Sequence, residues 1–284
     1  MKKVILSISA MLFVGAMSFA QGNISNANQV GNSNAALVDQ FGNVNSSDID
    51  QIGNSNKSDV FQGRKPSNFN AVNNKAEVMQ NGNSNTAFVS QSNKNNEAYQ
   101  TQTGDNNSAT IWQDQIVGAP AATQGSDWGK QVQTGKSNKA TIDQGTSGNE
   151  RPTSSSVFSP AQIAAVALVP VPVSPNTLNK ALQTQTGDSN TAYASQGGER
   201  NSSTQTQTSP AGTSLANGNL SNHYQYGKDN KATNTQNGTK LTNNTLQIGE
   251  SNMATVSQTG SMHQSINYSQ GNLNSISVTQ NNGM

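Results

Sequence analysis

A glutamine returns every 11 residues over most of this chain, and the residues between successive glutamines repeat with it. Gln29, Gln40, Gln51 and Gln62 open the series, and the unit reads Asn-x-small-x-x-x-Gln-x-Gly-x-x. The closing position then falls at Gln80, Gln91, Gln102, Gln113, Gln133 and Gln144. It resumes at Gln185, Gln196, Gln207, Gln225, Gln236, Gln247, Gln258, Ser269 and Gln280. That makes 19 half-repeats, 18 of them closing in Gln. Six residues before the close, 16 are Asn, the exceptions being Asp127, Leu241 and His263. Four before the close, 17 are Ala, Ser or Gly, with Asn243 and Ile276 departing. Three columns in register over this length mark a stack of copies of one supersecondary unit.

An 11-residue period also describes three turns of a right-handed coiled coil. Residue type excludes that geometry, because every unit would place Gly and several Asn inside a helix, each costing up to ~1 kcal/mol relative to Ala. A strand accounts for all the columns. Asn, the small residue, the following apolar residue and Gln are two apart, so they share one face. Val38, Ile49, Val60, Val78, Val89, Ile111, Ile142, Val256 and Val278 supply the apolar contact, while Asp39, Asp48, Asp50, Lys57, Asp59 and Glu77 alternate to the other face. Gly two residues after Gln permits a turn. The expected fold is all-β, a two-sheet parallel β-solenoid of about 19 stacked strand-turn half-repeats, with coils ~4.8 Å apart and no stable helix after residue 20.

In such a stack each inward amide lies over its counterpart in the next coil, and the two can pair as a ladder. The inward ladder residues are Asn34, Gln40, Asn45, Gln51, Asn56, Gln62, Asn85, Gln91, Gln102, Asn107 and Gln113, continuing through Asn138, Gln144, Asn190, Gln196, Asn230, Gln236, Gln247, Asn252, Gln258 and Gln280. The turn residues are Gly31, Gly42, Gly53, Gly82, Gly104, Gly135, Gly187, Gly227, Gly249 and Gly260. An unpaired buried amide costs ~1–3 kcal/mol, so complete register is favoured over partial order.

These columns resemble the repeat of curlin, the subunit of bacterial curli fibres, matched at Asn34 to Gln51, Asn85 to Gln102 and Gln247 to Gln258. The resemblance covers most of residues 23–281. It implies a subunit of a secreted, self-assembling amyloid-type fibre for biofilm matrix, adhesion or surface coating. It also implies export unfolded through an outer-membrane pore and growth templated by a nucleator subunit. The chain departs from the family in carrying nearly twice the usual number of half-repeats, in having insertions, and in placing only Gln21 and Gly22 between the expected signal cleavage site and Asn23.

The first 20 residues differ in kind. Lys2 and Lys3 precede an apolar run from Val4 to Ala16, and Ser18-Phe19-Ala20 forms a small-x-small cleavage signature, so residues 1–20 read as a secretory signal peptide. A membrane span would need ~18–20 apolar residues. Removing Lys2 and Lys3 takes the 16 basic residues to 14 against 15 acidic, a net charge of −1. That balance offers no electrostatic case for nucleic acid or anionic membrane. There is no cysteine, hence no disulfide or thiolate metal site. Low hydrophobic and charged content alone would suggest disorder; the order of the residues overrides it.

The mature domain, residues 21–284, breaks register at 63–73, 114–126, 145–177 and 208–218. Each break falls in a turn, on the solenoid rim, where extra residues are tolerated. Three project from one edge of the stack and one from the other. The longest, with Pro152, Pro160, Pro170, Pro172 and Pro175 around Ala161–Val169, reads as a loop or a surface arm, and its excision should spare assembly. His223 and His263 occupy inward positions and read as ladder variants. No paired carboxylates, phosphate loop or metal motif appears, so the chain reads as neither an enzyme nor a cofactor binder. The competing readings are a monomeric surface-binding solenoid, an adhesin or ice binder, against which stands the mixed column Ala35, Lys57, Lys75, Thr86, Glu97, Ser108, and a minor nucleator subunit of such fibres. The first and last half-repeats leave no sequence for end caps, so the main partner expected is a second copy stacked head to tail.

Overall fold

The computed structural model describes residues 22–63, 71–113, 124–145, 158–168 and 176–282. The expected signal peptide and parts of three of the insertions lie outside these. The chain is a two-sheet parallel β-solenoid. One sheet holds ten strands, β1 (Ile24–Val30), β4 (Ser46–Asn54), β7 (Lys75–Asn83), β10 (Glu97–Asp105), β13 (Trp128–Lys136), β16 (Lys180–Thr186), β18 (Ser202–Thr208), β20 (Lys231–Thr239), β22 (Met253–Ser261) and β24 (Ser275–Asn281), in that order. The second holds β2 (Ala35–Gln40), β5 (Lys57–Gln62), β8 (Thr86–Gln91), β11 (Ser108–Gln113), β14 (Lys139–Gln144), β17 (Thr191–Glu199), β19 (Leu220–Lys228), β21 (Thr242–Glu250) and β23 (Gln264–Asn272). Its rim is extended by five two-residue strands, β3 (Gly42–Asn43), β6 (Ala71–Val72), β9 (Asn93–Lys94), β12 (Gln124–Gly125) and β15 (Asn176–Thr177).

Odd and even half-repeats alternate between the sheets, so each strand pairs with the one two half-repeats away. Gln29 stands opposite Gln51 and Gln40 opposite Gln62. Register survives longer separations in sequence: Gln51 meets Gln80, Gln102 meets Gln133, and Gln133 meets Gln185. A one-residue slip would send every inward side chain to the outer face, which is why the buried column fixes pairing so strictly. Between the sheets lies a thin apolar core of Ile49, Val60, Val78, Val89, Ile111 and Ile142, with Ala76, Ala87, Ala98, Ala181 and Ala194 keeping the sheets close.

Two backbone features make each corner. Gly53 has φ +113°, and a Cβ there would lie 2.0 Å from the carbonyl oxygen of Gly82 in the coil above. No other residue tolerates both the angle and the approach. The second feature lies one residue before the inward Asn, where Ser33, Val44, Ser55, Ser84, Asn106 and Ser137 have φ between 56° and 59°. Leu178, Arg200, Lys240, Met262 and Leu273 adopt the same left-handed conformation at equivalent corners. The residue type varies while the conformation does not, so the corner is imposed by the stack at ~1 kcal/mol or more per residue.

Contrary to the expectation of no helix, Pro160–Leu168 forms α1, and Leu215–Asn217 a short 3₁₀ turn. The signals for α1 are local. The Ser159 backbone N–H donates to Gln162 Oε1 at 2.8 Å, and the Gln162 N–H donates to Ser159 Oγ at 3.3 Å. This is a reciprocal capping box, followed by Pro at the first helical position and a run of Ala. The prolines had suggested a loop; one of them starts the helix.

Corner chemistry gives two substitutions of opposite sign. Gly53→Ala should lower the urea midpoint of the purified protein sharply, since the obstructing atom is backbone. Val44→Gly should raise it slightly, because a half-exposed β-branched residue leaves a left-handed backbone at a gain of up to ~1 kcal/mol. Equal midpoints for both variants would refute the corner assignment.

Candidate assembly core: the amide ladders

The closing glutamines form one column in each sheet. In the ten-strand sheet Gln29 Nε2 donates to Gln51 Oε1 at 2.6 Å, Gln51 to Gln80 at 2.7 Å and Gln80 to Gln102 at 2.8 Å. The chain of bonds continues through Gln133, Gln185, Gln207, Gln236 and Gln258 to Gln280 at 2.8–2.9 Å. In the second sheet it runs from Gln40 through Gln62, Gln91, Gln113, Gln144, Gln196 and Gln225 to Gln247 at 2.8–3.0 Å. Ser269 occupies the next rung, and its buried hydroxyl makes no hydrogen bond. The second Nε2 hydrogen crosses to the other sheet. Gln51 donates to Ala35 O at 3.1 Å and Gln91 to Lys75 O at 2.9 Å, so each glutamine joins both sheets and two coils.

The asparagines do something the repeat did not reveal. Asn34 Oδ1 accepts the backbone N–H of Asn56 at 3.0 Å as well as its side-chain amide at 3.3 Å. The same backbone bond recurs from Asn85 to Asn56, Asn107 to Asn85, Asn138 to Asn107 and Asn190 to Asn138, at 3.0–3.1 Å. In the ten-strand sheet it links Asn45 to Asn23, Asn230 to Asn201 and Asn252 to Asn230. Asn Nδ2 meanwhile donates to a turn glycine: Asn56 to Gly82 O at 2.8 Å, Asn85 to Gly104 O at 2.7 Å, Asn107 to Gly135 O at 2.9 Å and Asn138 to Gly187 O at 2.7 Å. These Asn therefore replace a strand bond at the corner and satisfy the carbonyl of a corner glycine; beside the insertions the carbonyl is that of Ala71 for Asn45 and of Asn93 for Asn74. Asp127 keeps the needed acceptor, taking the Asn179 N–H at 2.8 Å. Leu241 does not, and the Asn column of the second sheet ends at that fully buried side chain.

The remaining turn glycines, Gly31, Gly42, Gly227, Gly249 and Gly260, all have φ between 110° and 126°. Chain separation does not alter the pattern. The glutamine bonds point toward the C-terminal coil, and the asparagine bonds point back.

A third amide ladder was missed. Gln100, Gln131, Gln183 and Gln205 fill the central position that Val or Ile holds in nine other half-repeats, and they bond in series at 2.8–2.9 Å. The signal was present as the pairs Gln100–Gln102, Gln131–Gln133, Gln183–Gln185 and Gln205–Gln207. This ladder abuts Val78, and Gln100 Oε1 there has no hydrogen-bond donor.

Beyond Gln205 the core is a polar plug around His223, which is 1% exposed. Asn243 Nδ2 lies 3.2 Å from His223 Nε2 and Ser203 Oγ lies 2.9 Å from Nδ1. An amide can only donate here, which sets the proton on Nδ1 with Ser203 as its acceptor. Complete burial pushes the His223 pKa from 6.5 down to about 3, so it is a neutral member of the core. His263 differs: it is half-buried, and its Nε2 donates to Thr259 O at 3.0 Å instead of joining a ladder. The carboxylates are not all outward, since Asp127 holds an inward Asn position and is 1% exposed; Asp143 alternates outward yet is 2% exposed. Outward pairs such as Lys57–Asp59 and Lys75–Glu77, both 2.7 Å, lie in solvent and contribute little.

A parallel β-solenoid whose inward columns are Asn and Gln ladders is an architecture in which each coil pairs with the next through side chains as well as backbone. The chain is a curlin-like repeat protein: the model of the curlin associated repeat matches residues 26–53 and 72–99. No curated protein matches it.

Gln91→Lys should harm folding and assembly far more than Thr86→Lys. Gln91 is 1% exposed and joins Gln62 and Gln113, so the substitution breaks two rungs at ~1 kcal/mol each and buries a charge. Thr86 is exposed. Equal fibrillation lag times would refute the assigned faces. His223 predicts an acid sensitivity. Above pH 6.5 the ring is neutral folded and unfolded; between 6.5 and about 3 only the unfolded chain takes the proton, so stability falls as pH falls through that window. His223→Gln should lose less of its urea midpoint than the parent between about pH 7 and pH 4. An identical loss in both would show the histidine is not neutral in the fold.

Proposed function

We propose that this chain is the structural subunit of a secreted, curli-like fibre that extends by stacking coil on coil. The observation that carries this reading is the directionality of the ladders over the whole described stack. At one end Gln29 and Gln40 present Oε1 acceptors, and Asn23 presents the side-chain amide hydrogen not given to Gly42 O. At the other, Gln280 presents the Nε2 hydrogen not given to Gln264 O, and Asn274 its Oδ1. The end strands β1 and β24 each pair on one side among the described residues. A second copy in the same orientation, with its Gln29 over Gln280 and its Asn23 over Asn274, continues the glutamine and asparagine ladders of the ten-strand sheet; a reversed copy sets donor against donor. The curlin repeat supports self-assembly at the family level, and the reading places the fibre outside the cell as matrix, adhesive or coat. A nucleator subunit and an outer-membrane export pore complete the expected partners. Among the described residues no helix is long and apolar enough to cross a membrane.

A specific observation favours a second reading, a monomeric solenoid that binds a flat ordered surface such as ice. On the outer face of the ten-strand sheet, threonines stack in register as Thr103, Thr134, Thr186 and Thr208, beside Thr184, Thr206 and Thr235 and then Thr204, Thr233 and Thr255. The mixed residues noted in the sequence divide between the two sheets, Ala35, Lys57, Thr86 and Ser108 in one and Lys75 and Glu97 in the other, whereas these threonine columns are regular.

One experiment separates the readings. Residues 21–284, refolded from denaturant, should form fibres that bind thioflavin-type dyes and diffract at ~4.7–4.8 Å along the axis and ~10 Å across it. A stable monomer after days at high concentration with preformed seeds, combined with faceting of growing ice crystals, would replace the fibre with the surface binder.

A further inference from the structure

We propose that the outer face of the second sheet between β17 and β23 is a lateral docking surface for a second copy of this chain, and that α1 is a strap that closes it. Outward hydrophobics elsewhere on the solenoid stand in solvent: Leu37, Ile52 and Met79 are 40–51% exposed. On this face Tyr226, Leu246 and Ile248 also alternate outward, yet they are 5%, 0% and 7% exposed. What covers them is the strap. Phe158, 3% exposed, meets Tyr224 edge-on with ring centroids 6.1 Å apart, and Ile163 and Ala165 pack on the same cluster. Tyr193, stacked on Tyr224 at 5.5 Å, and Tyr268 extend the patch to the strands on either side.

The strap is built to be marginal. Its helix has nine residues, while an isolated helix needs about 12–15 to persist in water, so α1 exists only while docked. Undocking and unwinding are one event. The solenoid does not depend on it, because Gln144 and Asn179 flank a connection that four residues, Gly197 to Arg200, make between Gln196 and Asn201.

The occupant follows from charge and register. The rows of this face repeat at the strand spacing, and from Leu220 to Tyr226 and from Thr242 to Ile248 it carries no charge. A flat apolar sheet face is complemented by another such face packed at ~10 Å, and a second copy supplies the same face in a self-complementary pair. In fibres the face recurs in every subunit, so release of the strap converts single filaments into bundles. That fibre-level consequence rests on the polymer reading above; pairing of unassembled chains does not.

The test uses residues 21–284 with Phe158→Asp and Ile163→Asp, compared with the parent by sedimentation immediately after refolding and by electron microscopy after assembly. The strap-broken protein should sediment as a dimer and give filaments about twofold or more wider. Adding Leu246→Thr and Ile248→Thr should restore the monomer and the single width. Should the aspartates prevent folding, replacing residues 145–178 by Gly-Gly-Glu-Arg releases the face without them, with the same expectation. A strap-free protein with intact strand dichroism that stays monomeric, including one that instead binds phosphatidylcholine vesicles, overturns the proposal. Absence of fibres in parent and variants alike would refute the polymer reading, while sedimentation still decides the strap.

Discussion

The structure depends on one bond more than any other, the one from the Asn side-chain oxygen to the backbone N–H of the Asn in the next coil. A solenoid must turn the chain twice per coil, and every turn takes backbone groups out of the sheet and buries them. Left unpaired, each costs ~1–3 kcal/mol. Asn answers both sides of that problem: its Oδ1 supplies the acceptor lost from the ladder, and its Nδ2 pairs the carbonyl of the turn glycine. The glycine in turn is the residue whose missing Cβ allows the adjacent glycine carbonyl to approach. Asn and Gly are therefore one device, and glutamine completes it by tying each coil to the sheet opposite.

This explains how a chain with 31% hydrophobic residues buries a core. Hydrophobic burial here is narrow, a line of Val and Ile between two amide columns. Order is gained instead by satisfying polar groups that only a complete, in-register stack can satisfy. The same logic accounts for the substitutions within the repeat. Asp127 is accepted because it retains the acceptor, whereas Leu241 ends its column. Where the central apolar residue is lost, a series of four glutamines takes its place, or a polar side chain such as His223 that hydrogen-bonds Ser203 and Asn243 of the neighbouring column.

The period, the strands, the parallel stacking and the inward face were legible because each follows from the identity of a repeated residue. Gly53 announces its conformation by being glycine. The left-handed corner one residue before each Asn was not legible, since Ser33, Val44, Arg200 and Leu273 share a backbone angle and no chemistry; tertiary stacking imposes it. The central glutamine ladder was written in the Gln-x-Gln pairs, but it occupies four half-repeats, whereas the closing glutamine recurs in 18 of 19 and dominates the period. Helix α1 was hidden for a third reason. Its cap, Ser159 to Gln162, is local and readable, yet the prolines around it argue for a loop, and the surface that stabilises it comes from strands far along the chain.

The two faces of the strands thus stand under different constraints. An inward position answers to the coils above and below it, so a change there is propagated along the axis and the column either holds or ends. An outward position makes cross-coil contacts, such as the Phe61–Phe88–Trp112 row, that no buried amide depends on, and charged pairs, threonine ranks and aromatic patches occupy adjacent stretches of the same sheets without disturbing register. Insertions follow the same division, leaving at corners and returning through short rim strands such as Ala71–Val72 and Asn176–Thr177 that restore the stack before the next Asn. A uniform interior makes the scaffold indifferent to what its surface carries, and that indifference is what lets one repeat hold a self-stacking core, a flat hydroxyl face and a strapped apolar face at once.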